Sequence, residues 1–132
     1  MKNTNLKVLC VDDDPFSLET LTETLRRIGG VNIETAEDAK SALSMTSLWD
    51  GSIDVILMDI HMPDIDGIEF IQALGRTGFT GSVGVISGAV DVIKKMTEIV
   101  AFGRGIKLLG VLEKPVSFSE LDALLKRASE PN

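Results

Sequence analysis

Short apolar runs alternate with helical patterns along the chain, and this alternation restricts the fold more than any other feature. Five runs have the β-branched and apolar composition of strands, at 6–11, 31–36, 53–58, 83–86 and 108–112. Each run is followed by a stretch in which apolar residues recur every three or four positions, as in an amphipathic helix. The pattern predicts five β–α units that share one parallel sheet.

The helical stretches begin at recognisable capping residues. The candidate N-caps are Asp38, Asp66 and either Ser117 or Ser119. The first helix, predicted over 16–28, has an apolar stripe that we expect to face the sheet. Its members are Phe16, Leu18, Leu21, Leu25 and Ile28. The third helix is predicted over 68–74 and the fourth over 90–102.

Strands one, three and five are apolar almost throughout, as expected for parallel strands that helices cover on both faces. Right-handed crossovers then lead to an α/β fold, a three-layer αβα sandwich. We expect a flavodoxin-like (βα)5 topology with a five-stranded parallel sheet of order 2-1-3-4-5. In that order, the ligand crevice lies beyond the carboxyl ends of strands one and three.

Composition narrows the classes of function. The 132 residues suit one domain with one core, and the net charge of −7 argues against direct binding of nucleic acid. No apolar run is long enough for a membrane span, and the N-terminus lacks the features of a signal peptide. Cys10 is the only cysteine, so we expect no internal disulfide, a cytoplasmic location and a buried, inert thiol.

Carboxylates lie where two of the predicted strands end. Asp12 and Asp13 follow the first strand, and Asp59 follows the third. Two such charges about 4 Å apart, at an effective dielectric near 20, repel by roughly 4 kcal/mol. A divalent cation would relieve this repulsion, and oxygen ligands favour Mg²⁺.

Two further polar residues end the last two strands and belong to the same edge. Ser87 follows the fourth strand, and Lys114 follows the fifth and precedes Pro115. The predicted site suits the transfer of a phosphoryl group, because it combines carboxylates, a hydroxyl, an ammonium group and a metal. A carboxylate would act as the nucleophile. A phosphate-binding loop of the form GxxxxGK[ST] is absent from the sequence.

These residues resemble the receiver domain of two-component response regulators over essentially the whole chain. The matching segments are Val11-Asp12-Asp13-Asp14-Pro15, 58–67 (MDIHMPDIDG), Ser87-Gly88-Ala89 and Lys114-Pro115. Each segment alone is a weak signal, but the four in this order, each at the end of an apolar strand, are specific.

The resemblance implies a role for each site residue. Asp59 would accept a phosphoryl group from a histidine kinase, a phosphotransfer protein or a small donor. Asp13, Asp59 and the backbone carbonyl of His61 would bind Mg²⁺ directly, and Asp12 would act through a metal-bound water. 

The remaining implied roles concern the phosphoryl group and its loss. Ser87 and Lys114 would each bind a phosphoryl oxygen, and the Lys114–Pro115 bond would be cis. The side chain of His61 would tune hydrolysis of the acyl phosphate. Turnover would be self-catalysed phosphorylation and dephosphorylation, without a conventional enzyme activity.

Two features depart from the minimal receiver pattern. Val111 replaces the aromatic residue that this family commonly has three positions before the lysine. The stretch 88–110 is long, which predicts a long fourth helix. The segment 109–115 (LGVLEKP) resembles receivers fused to EAL-type cyclic-di-GMP phosphodiesterases.

The resemblance also indicates domain limits and partners. Residues 1–128 would form the receiver, and 129–132 would begin a linker to an output domain, such as a cyclic-di-GMP phosphodiesterase. The face of the fourth helix, fifth strand and fifth helix would contact that output or a second copy of the chain, as a homodimer.

Two other interpretations stay open on the sequence. A haloacid-dehalogenase-like phosphatase would use Asp12 as its nucleophile in a D-x-D pattern with Asp14, although the Asp59 segment would then have no role. A binding-only relative of receivers would keep the fold without phosphorylation. Asp14 is expected to cap a helix or to face solvent, and Asp64 and Asp66 are expected to serve as turn and N-cap residues, rather than to bind a ligand.

Overall fold

The computed structural model of the chain describes residues 6–49, 53–60, 67–88 and 90–128, and for 47–49 and 90–96 it describes the backbone alone. Strands and helices alternate in the predicted order. The strands are β1 (Leu6–Val11), β2 (Val31–Ala36), β3 (Val55–Asp59), β4 (Ser82–Ser87) and β5 (Lys107–Glu113). The helices are α1 (Pro15–Ile28), α2 (Ala39–Trp49), α3 (Gly67–Thr77), α4 (Val90–Arg104) and α5 (Phe118–Arg127).

The five strands form one parallel sheet of order β2-β1-β3-β4-β5, which confirms the predicted topology. One core lies on each side of the sheet. The first contains buried residues of α2, α3 and α4, with Phe70, Ile71 and Leu74 among them. The second contains buried residues of α1 and α5. These two layers complete the αβα sandwich.

Burial of the strands differs in part from the prediction. β3 and β4 are buried at every residue, whereas most of β5 is only partly buried. The reason is the strand order, because β5 is an edge strand and β4 lies between two neighbours. Cys10, in the interior strand β1, is fully buried as predicted, and burial raises the pKa of its thiol to about 12.

Capping residues explain several helix boundaries. Asp14 is the N-cap of α1, with Pro15 at the first helical position, and Ser117 caps α5. The Asp38 side chain accepts a hydrogen bond from the backbone N–H of Ser41 at 2.7 Å, as expected for the N-cap of α2. The predicted cap Asp66 lies outside the described residues.

Two apolar side chains are exposed on the helices, and the first of them corrects the predicted stripe of α1. The sequence pattern predicts Phe16 on the buried stripe of α1, but the residue is 76% exposed. It lies two residues before Leu18, about 200° around the helix, and therefore faces away from the sheet. Ile99, on α4, is 65% exposed because Thr97 and Ala101 occupy the buried side of that helix.

Candidate functional site

Three carboxylates meet at the carboxyl edge of the sheet. Asp12 follows β1, Asp13 comes next, and Asp59 ends β3. β1 and β3 are neighbours, with Val11 paired to Met58, so the residues that follow this pair lie side by side. One oxygen from each carboxylate lies within 4.8 Å of the other two.

Lys114 contacts two of these carboxylates from the opposite side of the crevice. Its Nζ atom donates to Asp59 Oδ2 at 2.9 Å and to Asp12 Oδ2 at 3.3 Å. Its backbone N–H donates to the carbonyl of Ser87 at 3.0 Å, which joins the ends of β5 and β4. The lysine is therefore held at both its backbone and its side chain.

Burial and charge act in opposite directions on these groups. Asp12 and Asp59 are buried, whereas Asp13 is exposed. Burial raises the pKa of Asp12, and the charge of Asp59 adds to this effect, although the Asp14 backbone N–H and Lys114 oppose it. Burial alone would lower the pKa of Lys114, but its hydrogen bond to Asp59 and the charges of Asp59 and Asp12 outweigh burial and raise it.

Asp14 is turned away from this cluster, as predicted. Its carboxylate accepts hydrogen bonds from the Ser17 hydroxyl at 2.9 Å and the Phe16 backbone N–H at 3.2 Å, and these bonds lower its pKa. Its own backbone N–H donates to Asp12 Oδ1 at 2.9 Å, which orients the Asp12 carboxylate. Asp14 therefore caps α1 and positions its neighbour.

The other predicted site residues are placed as follows. Ser87 is fully buried at the end of β4, next to the end of β3 in the sheet. The Lys114–Pro115 peptide bond is cis, as predicted. His61, Asp64 and Asp66 lie outside the described residues.

The chemistry available at this edge is that of a nucleophilic carboxylate beside a cation. Asp59 is held against the Lys114 ammonium group and adjoins two more carboxylates. Such a site suits the transfer of an anionic group onto an oxygen of Asp59.

Comparison with known proteins agrees with this geometry. A family model described as the response regulator receiver domain matches residues 8–126. The chain belongs to this family. It is a receiver domain with the flavodoxin-like topology of two-component response regulators.

Individual relatives lie within the same family. The cyclic di-GMP phosphodiesterase RocR of Pseudomonas aeruginosa is 30% identical over 124 residues, which cover 93% of this chain and 31% of RocR. The two-component response regulator ARR22 of Arabidopsis thaliana is 27% identical over 125 residues, 95% of this chain and 84% of ARR22. This receiver therefore spans about a third of one relative and most of another.

A solved structure of similar fold is CheY of Borrelia burgdorferi, in complex with CheX, BeF₃ and Mg²⁺. Its TM-score is 0.81 at 25% sequence identity, and the match covers 92% of this chain and 87% of that one. The haloacid-dehalogenase-like alternative receives no support from these comparisons. The position of Asp14 also disfavours it, because that carboxylate caps a helix instead of joining Asp12.

Sequence reasoning missed two features of this receiver. A groove of about 330 Å³ runs beside the site between α1 and the segment that follows β5, and exposed Phe16 forms part of its wall. A correct 100° helical projection of α1 would have identified Phe16. The second feature is Arg127, whose guanidinium group binds the carbonyl of Leu109. In the sequence, only the isolated Gly110 within the β5 pattern indicates a bulge or a close approach at this point of the strand.

Within the described residues, no helix is both long and apolar enough to cross a bilayer.

Proposed function

We propose that Asp59 accepts a phosphoryl group and that the domain uses this modification as a switch. The observation that carries the proposal is the contact of 2.9 Å between Asp59 Oδ2 and Lys114 Nζ, within a cluster of three carboxylates. A cation this close to Asp59 would offset the charge that develops on a phosphoryl group bound there, which supports the proposal. Membership of the receiver family supports the same assignment.

The acidic cluster fits a divalent cation. Lys114 contacts Asp12 and Asp59, and burial disfavours the charged form of Asp12, so additional positive charge would stabilise the set. We assign Asp13, Asp59 and the backbone carbonyl of His61 as direct ligands of Mg²⁺, with Asp12 acting through a bound water. When bound, Mg²⁺ would offset negative charge on the phosphoryl oxygens.

The residues of the chain have distinct roles in the proposed transfer. A carboxylate oxygen of Asp59 attacks phosphorus, and the bond from phosphorus to the leaving atom of the donor breaks. Lys114 then exchanges part of its contact with Asp59 for a phosphoryl oxygen, and the Ser87 hydroxyl donates to another. The His61 side chain adjusts hydrolysis, and the decay rate of phosphorylated His61→Ala protein tests this role.

The second half of the proposal concerns output. A phosphoryl group would bring about two negative charges to the end of β3 in place of the single charge of the Asp59 carboxylate. Contacts with Ser87 and Lys114 would then favour a different arrangement of the segments that follow β4 and β5. The face of α4, β5 and α5 carries exposed Phe102 and a groove of about 540 Å³. These features support docking of an output domain or of a second copy in a homodimer.

The remaining assignments complete the proposal. Residues 1–128 form the receiver and 129–132 begin a linker to an output domain, for which the name of RocR suggests cyclic-di-GMP hydrolysis. The single buried cysteine is consistent with placement in the cytoplasm. Identifying the domain encoded downstream tests the output assignment.

Removal of the metal tests the site assignment. With EDTA in place of Mg²⁺, phosphorylation by acetyl phosphate is expected to fall about 100-fold or more, because the metal supplies several kcal/mol of charge stabilisation. Asp13→Ala should reproduce most of this loss. Phosphorylated protein is measured on phosphate-affinity gels.

The matched control is Glu34→Gln, which removes one exposed acid from β2, away from the site. It should phosphorylate at the wild-type rate. Equal rates with Mg²⁺ and with EDTA would contradict the metal assignment.

The groove beside α1 is a proposed docking place for the phosphodonor protein. It is lined by Asp12 and Lys114 of the site and continues to Phe16 and Pro115. A donor that seats an apolar side chain against Phe16 would therefore be within reach of Asp59. Phe16→Ser is expected to lower kcat/KM for transfer from a histidine kinase about tenfold or more, because exposed aromatic anchors often contribute about 2 kcal/mol.

Acetyl phosphate separates docking from chemistry in this experiment. It is too small to need the groove, so Phe16→Ser should accept phosphate from it at the wild-type rate. Ile99→Ser, which alters an exposed apolar residue on α4, is the matched control for the kinase reaction. A Phe16→Ser protein that reacts normally with the kinase would refute the docking assignment.

A further inference from the structure

β5 contains one residue more than its partner strand requires. The ladder pairs Val83 with Leu108 and then Gly84 with Gly110, so Leu109 is the extra residue of a bulge. From Gly110 onward the pairing is regular again and continues to Ser87 and Glu113. The register of the strand end that precedes Lys114 therefore depends on this bulge.

The bulge reverses the alternation of side chains along β5. Leu108 packs with the core of α2, α3 and α4, and Leu109 packs with the core of α1 and α5. A Cβ atom on Gly110 would also point toward α5, with Leu124 at 3.5 Å. Val111 then returns to the first core and Leu112 to the second. Two consecutive residues thus face α5, and every later side chain has the opposite orientation from that in an unbroken strand.

Arg127, in the last turn of α5, binds the bulge directly. Its Nη1 atom donates to the carbonyl oxygen of Leu109 at 2.8 Å. Gly110 has a φ of 157°, and a Cβ atom there would lie 3.0 Å from Arg127 Nη1. The absence of a side chain at Gly110 therefore leaves the space through which the guanidinium group reaches the strand.

From this arrangement we infer that Arg127 is a positioning residue for Lys114. By holding the extra residue in place, it keeps β5 in the register that delivers Lys114 to Asp59. A slip of one residue would move Lys114 along the strand direction by about 3.3 Å. It would also turn the β5 side chains that precede Lys114 to the opposite face of the sheet. This inference rests on the proposed role of Lys114 in phosphorylation, although the placement of β5 can be measured separately.

Three changes test the inference. Arg127→Met removes the charged donor while keeping an unbranched side chain, and Arg127→Lys retains a donor. Deletion of Gly110 removes the extra residue, so Leu109 would pair with Gly84 and Val111 would keep its present partner and orientation.

Hydrogen exchange of the Lys114 amide reports placement of β5, because that amide donates to the Ser87 carbonyl. The second measurement is the rate of phosphorylation by acetyl phosphate, divided by the amount of folded protein.

We expect Arg127→Met to accelerate exchange of the Lys114 amide and to slow phosphorylation about tenfold, the size expected for loss of one charge-assisted hydrogen bond. Arg127→Lys should recover most of the rate. Deletion of Gly110 in the Arg127→Met protein should restore both measurements, since no extra residue remains to be held.

If the Arg127→Met protein exchanges its Lys114 amide and is phosphorylated at the wild-type rates, the inference is overturned. A slow Arg127→Met protein that neither Arg127→Lys nor the deletion improves would overturn it as well. If the deletion protein does not fold, the difference between Arg127→Met and Arg127→Lys in amide exchange and phosphorylation rate decides the question. Lys114→Ala separates the two proposals: a wild-type phosphorylation rate in that variant would refute the proposed role of Lys114, while amide exchange would still report on Arg127.

Discussion

Asp59→Asn is expected to abolish labelling of the protein by acetyl phosphate and by beryllofluoride. The asparagine amide is nearly isosteric with the carboxylate but is a poor nucleophile, so the fold should persist while the reaction stops. Asp12→Asn should slow labelling about 10- to 100-fold without abolishing it, as is usual for a residue that acts through a metal-bound water. Intact-protein mass spectrometry measures the phosphoryl adduct, and ¹⁹F NMR measures bound beryllofluoride.

Asp14→Asn is the matched control, because Asp14 lies one residue from the cluster and serves as an N-cap. Asparagine caps helices as well as aspartate does, so labelling should be unchanged. Labelling that survives in Asp59→Asn but is lost in Asp12→Asn and reduced in Asp14→Asn would instead support the phosphatase interpretation. A wild-type protein that binds Mg²⁺ but is never labelled would indicate a binding-only domain.

Phe70→Ala is expected to have the largest effect on stability. Phe70, on α3, is fully buried in the core of α2, α3 and α4 and is the largest of the fully buried side chains in the described part of the chain. Its truncation should lower the free energy of unfolding by about 3–5 kcal/mol, from lost burial and the cavity left behind. That is a large share of the roughly 5–15 kcal/mol that stabilises a typical domain. Urea denaturation followed by circular dichroism measures the change.

Phe102→Ala makes the same chemical change at a side chain that is 89% exposed. Its free energy of unfolding should stay within about 0.5 kcal/mol of the wild-type value, because no packed cavity is created. Equal destabilisation by the two substitutions would mean that Phe102 is buried in solution, for example by association of two copies through α4. Such association would make the unfolding midpoint depend on protein concentration, which the same denaturation measurement detects.

The positions of most strands can be predicted from the sequence, because a buried strand needs a short run of apolar residues. β1 and β2 have the predicted bounds, and α4 is the longest helix in the described part of the chain, as predicted. β3 was predicted over 53–58 but spans Val55–Asp59. Ile53 is buried, yet the pairing of β3 with β1 begins at Val55, opposite Val8. Apolar composition reports burial, which extends to Ile53, whereas the paired residues of the strand begin two positions later.

Side-chain orientation was harder to predict than element type. Phe16 is apolar but lies on the exposed side of α1, and Ile99 lies on the exposed side of α4. Hydrophobicity alone does not distinguish a side chain that packs in the core from one available to a partner. β5 is less buried than its composition suggests because it lies at an edge of the sheet, the position that the predicted strand order already gave it.

The sequence by itself determined the β–α alternation, the strand ends that carry Asp12, Asp13, Asp59, Ser87 and Lys114, and the family. These properties follow from local pattern, since parallel strands bring their carboxyl ends to one edge. Only the tertiary structure decided that Lys114 contacts both Asp12 and Asp59, and that a bulge bound by Arg127 sets the register before it. Both depend on atoms far apart in the chain, whose distances are set by the packing of β5 between α4 and α5 rather than by neighbouring residues.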